Sequence, residues 1–177
     1  MRIIAGKYRG RVLAEFKGKD VRPTADRVKE SLFSILTPRL AGARVLDLFC
    51  GSGALGIECL SRGAKEVYFN DSAAESLEIL KKNLSLVGEH GEISRLDFRA
   101  CLSSLRGTFE LIFADPPYAC DYLPEILRIA KERDLTGKNG LIIYESERSE
   151  PAAEGWQKAD ERRYGRTYLG FFRRSEP

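Results

Sequence analysis

The sequence contains a single histidine, His90, among its 177 residues. Serine-type triads and two-histidine metal sites depend on imidazole, and one histidine in a polar turn between Gly88 and Gly91 supplies neither. The four cysteines stand at positions 50, 59, 101 and 120, without the C-x-x-C spacing of a zinc site or a redox pair. We therefore expect reduced thiols, no bound metal, and chemistry that runs without imidazole.

Long apolar runs are also missing. No stretch approaches the roughly 18 residues of a membrane span, and residues 1–11 lack the apolar core of a signal peptide. With 43% hydrophobic and 31% charged residues, the composition is typical of a globular protein and excludes disordered, collagen-like and coiled-coil chains. The sequence predicts a cytoplasmic protein without a membrane partner.

Charge is distributed unevenly along the chain. Residues 1–30 carry nine Lys and Arg against four Asp and Glu, residues 161–177 carry five against two, and the middle carries 15 against 20. A basic surface suits a nucleic-acid partner, although charged residues also simply solvate a surface, and both interpretations stay open on charge alone. The predicted phosphate contacts are Arg9, Arg11, Arg22 and Arg27, with Arg162, Arg163 and Arg166 as further candidates.

Strand and helix signals alternate from Ala43 onward. Short apolar runs predict strands at 44–49, 66–69, 93–96, 110–114 and 140–144. Helical periodicity predicts helices over 53–61, 73–87 and 122–131. Residues 164–172, YGRTYLGFF, alternate and predict an edge strand or one half of a hairpin. This alternation favours an α/β fold with a doubly wound, mostly parallel sheet and helices on both faces.

The first 40 residues differ from the rest. Residues 1–13 predict a short basic hairpin with glycines at 6 and 10, and residues 22–36 predict a helix with an apolar face. We expect this small basic N-terminal extension, residues 1–40, to lie as a cap against the main body, residues 41–177, within a single domain.

A glycine-rich turn follows the first strand of the main body. Gly51, Gly53 and Gly56 form a G-x-G-x-x-G pattern that opens a helix, where backbone N–H groups can approach a nucleotide. Asp47 lies four residues before the first glycine. Asp71 ends the next strand, where a carboxylate can accept both ribose hydroxyls of an adenosine. The pattern predicts an adenosine-containing cofactor.

Asp47 helps to separate two classes of such cofactor. An acid close to the turn would repel the pyrophosphate of a dinucleotide if both were poorly solvated. The ammonium and sulfonium groups of S-adenosylmethionine would be tolerated or attracted. The sequence therefore predicts S-adenosylmethionine, and a nicotinamide-dependent oxidoreductase remains the alternative.

The segment Asp115-Pro116-Pro117-Tyr118 follows the fourth strand, at the sheet edge where open α/β proteins bind ligands. The lone pair of an exocyclic base amine is delocalised into the ring, so its methylation needs acceptors that hold the amine hydrogens. The Asp115 carboxylate and the Pro116 carbonyl are such acceptors, Pro117 stiffens the loop, and Tyr118 can stack on a flipped base. The predicted reaction is methylation of an amine on adenine, cytosine or guanine in DNA or RNA; a non-catalytic RNA-binding module would need neither motif.

Four segments together resemble one known family: MRIIAGKYRGRVL, RPTADRVKESLFSIL, VLDLFCGSGALGIECLSRGA and IFADPPY. They are similar to the bacterial methyltransferases that modify N2 of a guanine in 16S ribosomal RNA. The resemblance covers nearly the whole chain, and RPT-x-DRV-x-E-x-LF is its most specific part. It implies a class I methyltransferase (Rossmann-like) fold, with a seven-stranded sheet that ends in an antiparallel strand. It also implies a target within the assembled or assembling small subunit, and we expect a monomer.

The same resemblance assigns positions to the site. It implies that residues 115–118 form the catalytic motif. The implied cofactor positions are Asp47, Phe49, Gly51, Ser52, Gly53, Asp71, Ser72, Phe98 and Arg99. The family often has an acidic residue followed by alanine after the third strand, to contact the adenine amine, whereas this chain has Arg99-Ala100 there. Asp97, Phe98 and Arg99 therefore remain alternatives for the adenine contact.

Overall fold

A computed structural model describes residues 1–16, 23–117 and 120–175. Within these ranges, seven strands form one sheet and five α-helices cover its faces. The strands are β1 (Arg44–Asp47), β2 (Glu66–Asn70), β3 (Glu92–Ser94), β4 (Phe109–Ala114), β5 (Thr136–Ser146), β6 (Trp156–Tyr164) and β7 (Thr167–Arg174). The helices are α1 (Pro23–Leu36), α2 (Ala54–Ser61), α3 (Ala74–Val87), α4 (Phe98–Ser104) and α5 (Leu123–Glu132). Among these helices, none is long and apolar enough to cross a membrane.

The strand order across the sheet is β3-β2-β1-β4-β5-β7-β6. Strands β1 to β5 are parallel, and β7 runs antiparallel to both of its neighbours. From β1 the chain moves outward through β2 and β3, and then returns to build the other half through β4 and β5. The switch between β1 and β4 is where sheets of this kind bind ligands. The predicted doubly wound, mostly parallel, seven-stranded sheet is confirmed.

Alternating side chains of the strands divide the core into two layers. Leu111 and Phe113 of β4 pack in the layer under α1, α2 and α3. Ile112 and Ala114 of the same strand pack in the layer under α4 and α5. Since both faces are covered, the central strands are apolar throughout, and this explains why the sequence showed them as uninterrupted apolar runs.

Residues 1–16, here called the N-terminal segment, form a short hairpin with a bridge between Arg2 and Val12. The hairpin predicted over residues 1–13 is therefore present. Ile3, Tyr8 and Leu13 are buried in the layer under α1, α2 and α3. The N-terminal segment shares its hydrophobic core with the sheet.

Glu58 of α2 is fully buried and connects the N-terminal segment to two helices. Its carboxylate accepts the N–H groups of Ile4 at 2.9 Å and Ala5 at 3.1 Å. It also pairs with Lys29 of α1 at 3.0 Å and with Arg62 at 2.8 Å. Burial alone raises the pKa of Glu58, but Lys29, the Ile4 N–H and Arg62 together lower it below its ordinary value. This carboxylate is therefore ionised and central to the packing of the first 60 residues.

The structure corrects the strand predicted over residues 164–172. Gly165 has a φ of +61°, in the left-handed region, and Gly165 and Arg166 form the turn that joins β6 to β7. The segment therefore belongs to two strands. Strand β7 is one half of a hairpin, as predicted, but the edge strand is β6, which the sequence did not indicate. An edge strand exposed to solvent carries polar residues, here QKADERR, and gives no apolar pattern.

Several strand boundaries also differ from the prediction, and two of them show the reason. β1 ends at Asp47, two residues before the predicted end, because the chain turns there into the glycine segment. β5 begins at Thr136, four residues before the predicted start, because Thr136 pairs with Phe109 ahead of an irregularity in the ladder. Both differences lie at element ends, where apolar runs are poor guides to backbone hydrogen bonding.

Candidate active site

The predicted cofactor and catalytic residues lie at one edge of the sheet, which we call the carboxyl edge. Asp47 ends β1, Asp71 directly follows β2, and Asp115 directly follows β4. Burial raises the pKa of Asp47 to about 7, the Gly56 N–H opposes this shift, and the negative charges of Asp115 and Asp71 add to it. Asp47 is paired with Phe69 of β2 and with Phe113 of β4, and Asp71 and Asp115 each follow these partners by two residues, so the three carboxyl groups meet at the switch between β1 and β4.

The glycine turn uses its own N–H groups inside the protein. Gly51 donates to Asp71 Oδ2 at 2.9 Å, and Gly56 donates to Asp47 Oδ2 at 3.0 Å. Gly53 donates to a backbone carbonyl within the turn at 2.7 Å. A dinucleotide-binding turn offers such groups to a pyrophosphate. These three donors are already engaged, two of them by carboxylates, so they are not available to a pyrophosphate.

Packing and backbone conformation explain two of the three glycines. Gly53 has a φ of +81°, and a Cβ on it would stand 2.3 Å from Leu80 of α3. A Cβ on Gly56 would stand 2.2 Å from the Phe69 ring of β2. These glycines let α2 approach the sheet and α3 closely, which places the amino end of α2 at the carboxyl edge.

Asp71 is held by a hydrogen-bond network that the sequence did not reveal. Asn70 is buried at the end of β2, and its amide donates to the carbonyls of Leu48 at 3.1 Å and Leu96 at 3.0 Å. Asn70 thereby ties together the chain segments that follow β1 and β3. The two oxygens of Asp71 accept the N–H groups of Gly51 and Ala73, both at 2.9 Å. The carboxylate is fixed in place, and its remaining lone pairs can accept hydroxyl groups. Ser72, beside it, is exposed.

An aromatic cluster borders the carboxyl edge on the side of α4 and α5. It consists of Phe49, which follows β1, Phe98, which opens α4, and Tyr122, which precedes α5. The Phe49 ring lies 5.7 Å from Phe98 and 6.2 Å from Tyr122 between centroids, and the Phe49 and Tyr122 rings are stacked. Phe98 is buried, whereas Phe49 and Tyr122 are half-buried and can present ring surface to a flat ligand. Tyr122 was missed from the sequence because only the fold brings it beside the two phenylalanines.

Asp97 and Arg99 serve the local structure around α4. Asp97 is the N-cap residue, and its Oδ1 accepts the Arg99 N–H at 2.9 Å. The Arg99 guanidinium pairs with Glu125 of α5 at 2.6 Å and lies 4.4 Å from the Phe98 ring centroid. A contact from any of these residues to an adenine remains a prediction.

The predicted catalytic motif begins where β4 ends. Asp115 is exposed, Pro116 is buried and Pro117 is exposed, while Tyr118 lies outside the described residues. The far end of the loop is fixed by Tyr144 of β5, whose hydroxyl donates to the Cys120 carbonyl at 3.2 Å and accepts the Tyr122 N–H at 3.3 Å.

Glu145 of β5 is a further carboxyl at this edge that the sequence analysis missed. The parallel register pairs Ala114 with Tyr144, so Glu145 comes one residue later beside Asp115. Burial and then the charge of Asp115 raise the pKa of Glu145 to about 8. Its position at the end of an apolar strand was the only signal for it in the sequence.

The N-terminal segment reaches the glycine turn. Asn83 of α3 is buried, accepts the Ala14 N–H at 2.7 Å, and donates to the carbonyls of Ala14 at 3.0 Å and Ser52 at 2.9 Å. A Cβ on Gly51 would stand 3.9 Å from the Phe16 ring. Residues 14–16 therefore lie against the glycine turn.

The predicted phosphate contacts fall into two groups. Arg27 lies in α1, whose amino end faces the carboxyl edge, and Arg162, Arg163 and Arg166 surround the turn between β6 and β7 at the same edge. Tyr164 beside this turn shares a hydrogen bond with Ser31 of α1. All four arginines are exposed, and Arg22 lies outside the described residues.

Arg9 and Arg11 lie elsewhere. The tip of the N-terminal hairpin bonds to Ser61 at the carboxyl end of α2, and Arg11 donates to Leu86 near the end of α3 at 2.7 Å. Since α2 has eight residues, about 12 Å of helix separates this tip from the glycine turn.

Comparison with known proteins identifies the family of this chain. The model of the family Conserved hypothetical protein 95 matches residues 1–173. The chain belongs to this family. Two relatives carry the name Ribosomal RNA small subunit methyltransferase D. The protein from Haemophilus influenzae is 36% identical over 172 residues, covering 93% of this chain and 89% of its own. The protein from Escherichia coli is 34% identical, covering 83% of this chain and 75% of its own.

A solved structure has the same fold as this chain. The Escherichia coli protein yhhF superposes with a TM-score of 0.87 at 31% identity, over 100% of this chain and 99% of that one. The predicted class I methyltransferase fold and the predicted family resemblance are both confirmed. This member of the family is a methyltransferase, and its fold and relatives imply S-adenosylmethionine as methyl donor.

Proposed function

We propose that this protein transfers a methyl group from S-adenosylmethionine to the exocyclic N2 amine of a guanine in 16S ribosomal RNA. The observation that carries the proposal is the meeting of Asp47, Asp71 and Asp115 at the switch point, around a turn whose three glycine N–H groups are engaged within the protein. The names of the relatives support small-subunit RNA as the substrate. The proposed substrate form is the assembled or assembling subunit, acted on by a monomer.

The residues at the glycine turn fit S-adenosylmethionine. Its positive charges favour the neighbourhood of Asp47, and its ribose needs acceptors of the kind that Asp71 offers. The half-buried rings of Phe49 and Tyr122 suit the adenine face. The same set disfavours a nicotinamide dinucleotide, since its pyrophosphate would meet carboxylates and find the glycine donors engaged.

Asp115 and Pro116 perform the proposed chemistry on the base. When bound, S-adenosylmethionine supplies an electrophilic methyl group. The Asp115 carboxylate and the Pro116 carbonyl accept the two hydrogens of the amine and turn its lone pair out of conjugation with the ring. The amine nitrogen gains the methyl group and loses one proton, for which the Asp115 carboxylate is the acceptor.

Mass spectrometry of nucleosides tests the proposed function. Small subunits from cells that lack the protein are incubated with it and methyl-labelled S-adenosylmethionine, and free 16S RNA is treated in parallel. Labelled N2-methylguanosine is the expected product. Labelled N6-methyladenosine or N4-methylcytidine would assign the reaction to another amine, and label in free RNA alone would contradict an assembled or assembling substrate.

Replacing Asp71 with alanine should weaken S-adenosylmethionine binding about tenfold to a hundredfold. The variant loses the ribose acceptor, and a hydrogen bond to a charged group contributes about 1.5 to 3 kcal/mol. Isothermal calorimetry measures the affinity. Glu75→Ala, which removes an exposed carboxylate four residues later, is the matched control. Equal affinity of Asp71→Ala and the wild type would move the ribose contact to another residue.

RNA affinity should depend on both groups of arginines. Each lost phosphate contact lowers the slope of log affinity against log salt by about 0.7 to 0.9. We expect a reduction of roughly 1.5 for Arg163→Ala/Arg166→Ala and for Arg9→Ala/Arg11→Ala. The control is Arg106→Ala/Lys138→Ala, which removes exposed charges near the amino ends of β4 and β5. An unchanged slope for either test pair would remove that pair from the RNA interface.

A further inference from the structure

Glu145 stands where the substrate base must meet the catalytic motif. Asp115 and Glu145 each follow by one residue the paired positions Ala114 and Tyr144 of neighbouring parallel strands. Side chains at equivalent positions of parallel strands share a face, and neighbouring strands lie about 4.8 Å apart. The core layer under α1 and α2 contains Phe113 and Ile143, two residues earlier on that face. The two carboxyl groups therefore form adjacent parts of one rim.

The surroundings of Glu145 do not explain its presence. Its carboxyl is half-buried next to a second acid, and both conditions destabilise its ionised form. The buried acid Glu150, by contrast, pairs with Arg148 at 2.7 Å. Over residues 1–16, 23–117 and 120–175, no side chain forms an ion pair with Glu145. A carboxyl group whose ionised form is destabilised, and which lies beside a proposed catalytic group, is characteristic of a functional site.

The target base offers a matching donor. On its Watson–Crick edge guanine carries N1–H directly beside the N2 amine, so two neighbouring donor groups face the protein. Adenine and cytosine carry a ring nitrogen without hydrogen beside their amines, which is an acceptor. An ionised carboxylate accepts hydrogen bonds and cannot donate them. An acceptor next to Asp115 would therefore satisfy guanine and repel the other two bases.

We propose that Glu145 accepts the N1–H of the target guanine and thereby selects guanine over adenine and cytosine. This inference rests on the proposed function and adds a specificity residue to it. Asp115 holds the reacting amine, and Glu145 reads the neighbouring ring position.

The test compares two target bases in one RNA. The methylated nucleotide is first mapped, and the same small-subunit RNA is then prepared with guanine or 2-aminopurine at that position. 2-Aminopurine keeps the N2 amine but has no hydrogen on N1. Single-turnover rates are measured at about pH 8.5, above the raised pKa of Glu145 and below the range in which guanine loses its N1–H, so that both partners are in the required form. The quantity of interest is the ratio of the guanine rate to the 2-aminopurine rate.

Glu145→Ala is expected to lower this ratio by about tenfold to a hundredfold relative to the wild type. Glu145→Gln should lower it as well, because an amide can donate to the N1 of 2-aminopurine. Partial misfolding cancels in a ratio obtained with a single enzyme preparation. Glu147→Ala, an exposed acid two residues later, is the matched control and should retain the wild-type ratio.

The outcomes separate this inference from the proposed function. If the wild type methylates guanine and the ratio is the same for Glu145→Ala, Glu145 does not read N1–H and the inference is overturned. If the wild type produces no N2-methylguanosine at all, the proposed function itself fails. A ratio that falls equally in Glu147→Ala would also overturn the inference, because it would show a general effect of charge.

Discussion

Asp115→Ala should slow the methyl-transfer step by about 10² to 10³ while S-adenosylmethionine binds with nearly unchanged affinity. In the proposed mechanism the carboxylate holds the amine hydrogens and receives the departing proton, and removing one preorganised group of this kind typically costs that much in rate. Asp71 and the glycine turn stay intact, since the Asp71 contacts do not involve Asp115. Single-turnover kinetics with saturating small subunits measure the rate, and calorimetry measures the affinity.

Asp121→Ala provides the matched control for this prediction. Asp121 is an exposed acid near the same loop that pairs with Arg148 at 3.2 Å, so its loss changes the charge of the region equally. Normal rates are expected for Asp121→Ala. A normal single-turnover rate for Asp115→Ala would show that the amine is held by other groups and that the catalytic assignment is wrong.

Glu58→Gln should lower the free energy of unfolding by about 3 to 5 kcal/mol. The change leaves Lys29, which is buried, without its counterion, and breaking a buried pair from one side has a cost of that size. A domain typically has only about 5 to 15 kcal/mol of stability, so the effect is large. Urea unfolding measures the change, and hydrogen exchange at Ile4 and Ala5 reports whether the N-terminal segment detaches.

The Glu58 carboxylate should also make the stability of the fold fall as the pH is lowered. The folded pKa of Glu58 is below its ordinary value, so its contribution to stability is complete above the unfolded pKa of about 4.3 and is lost as pH falls through the folded pKa. Wild-type stability should therefore fall more steeply with acid than that of Glu58→Gln. Glu66→Gln, which removes an exposed pair with Arg44, is the control and should cost about 0 to 1 kcal/mol. Equal losses for the two variants would show that the Glu58 pairs do not stabilise the fold.

Parts of the candidate site could be predicted from the sequence where a residue type and its position after a strand together indicate a role. Asp47, Asp71 and the glycine turn were predicted as site residues because they occupy fixed places after apolar strands, and the structure brings them to one edge of the sheet. The function of the glycine N–H groups could not be read in the same way, because their acceptors, Asp71 and Asp47, lie 20 and 9 residues away. Asn70 and Glu58 also escaped notice, because each acts through partners distant along the chain.

The sequence by itself determined the α/β class, the order of the parallel strands along the chain and the edge at which the motifs meet. Apolar runs, helical periodicity and turn residues act locally, and parallel strands necessarily end at a common edge. Only the tertiary structure decided that β6 is the edge strand, that Tyr122 joins Phe49 and Phe98, and that Glu145 stands beside Asp115. These features depend on strand register and on packing between segments far apart in the chain. Burial in the folded chain also raises the pKa of Glu145. A local sequence pattern does not predict such contacts, because each contact forms only when the strands pair into one sheet and the helices pack on both of its faces.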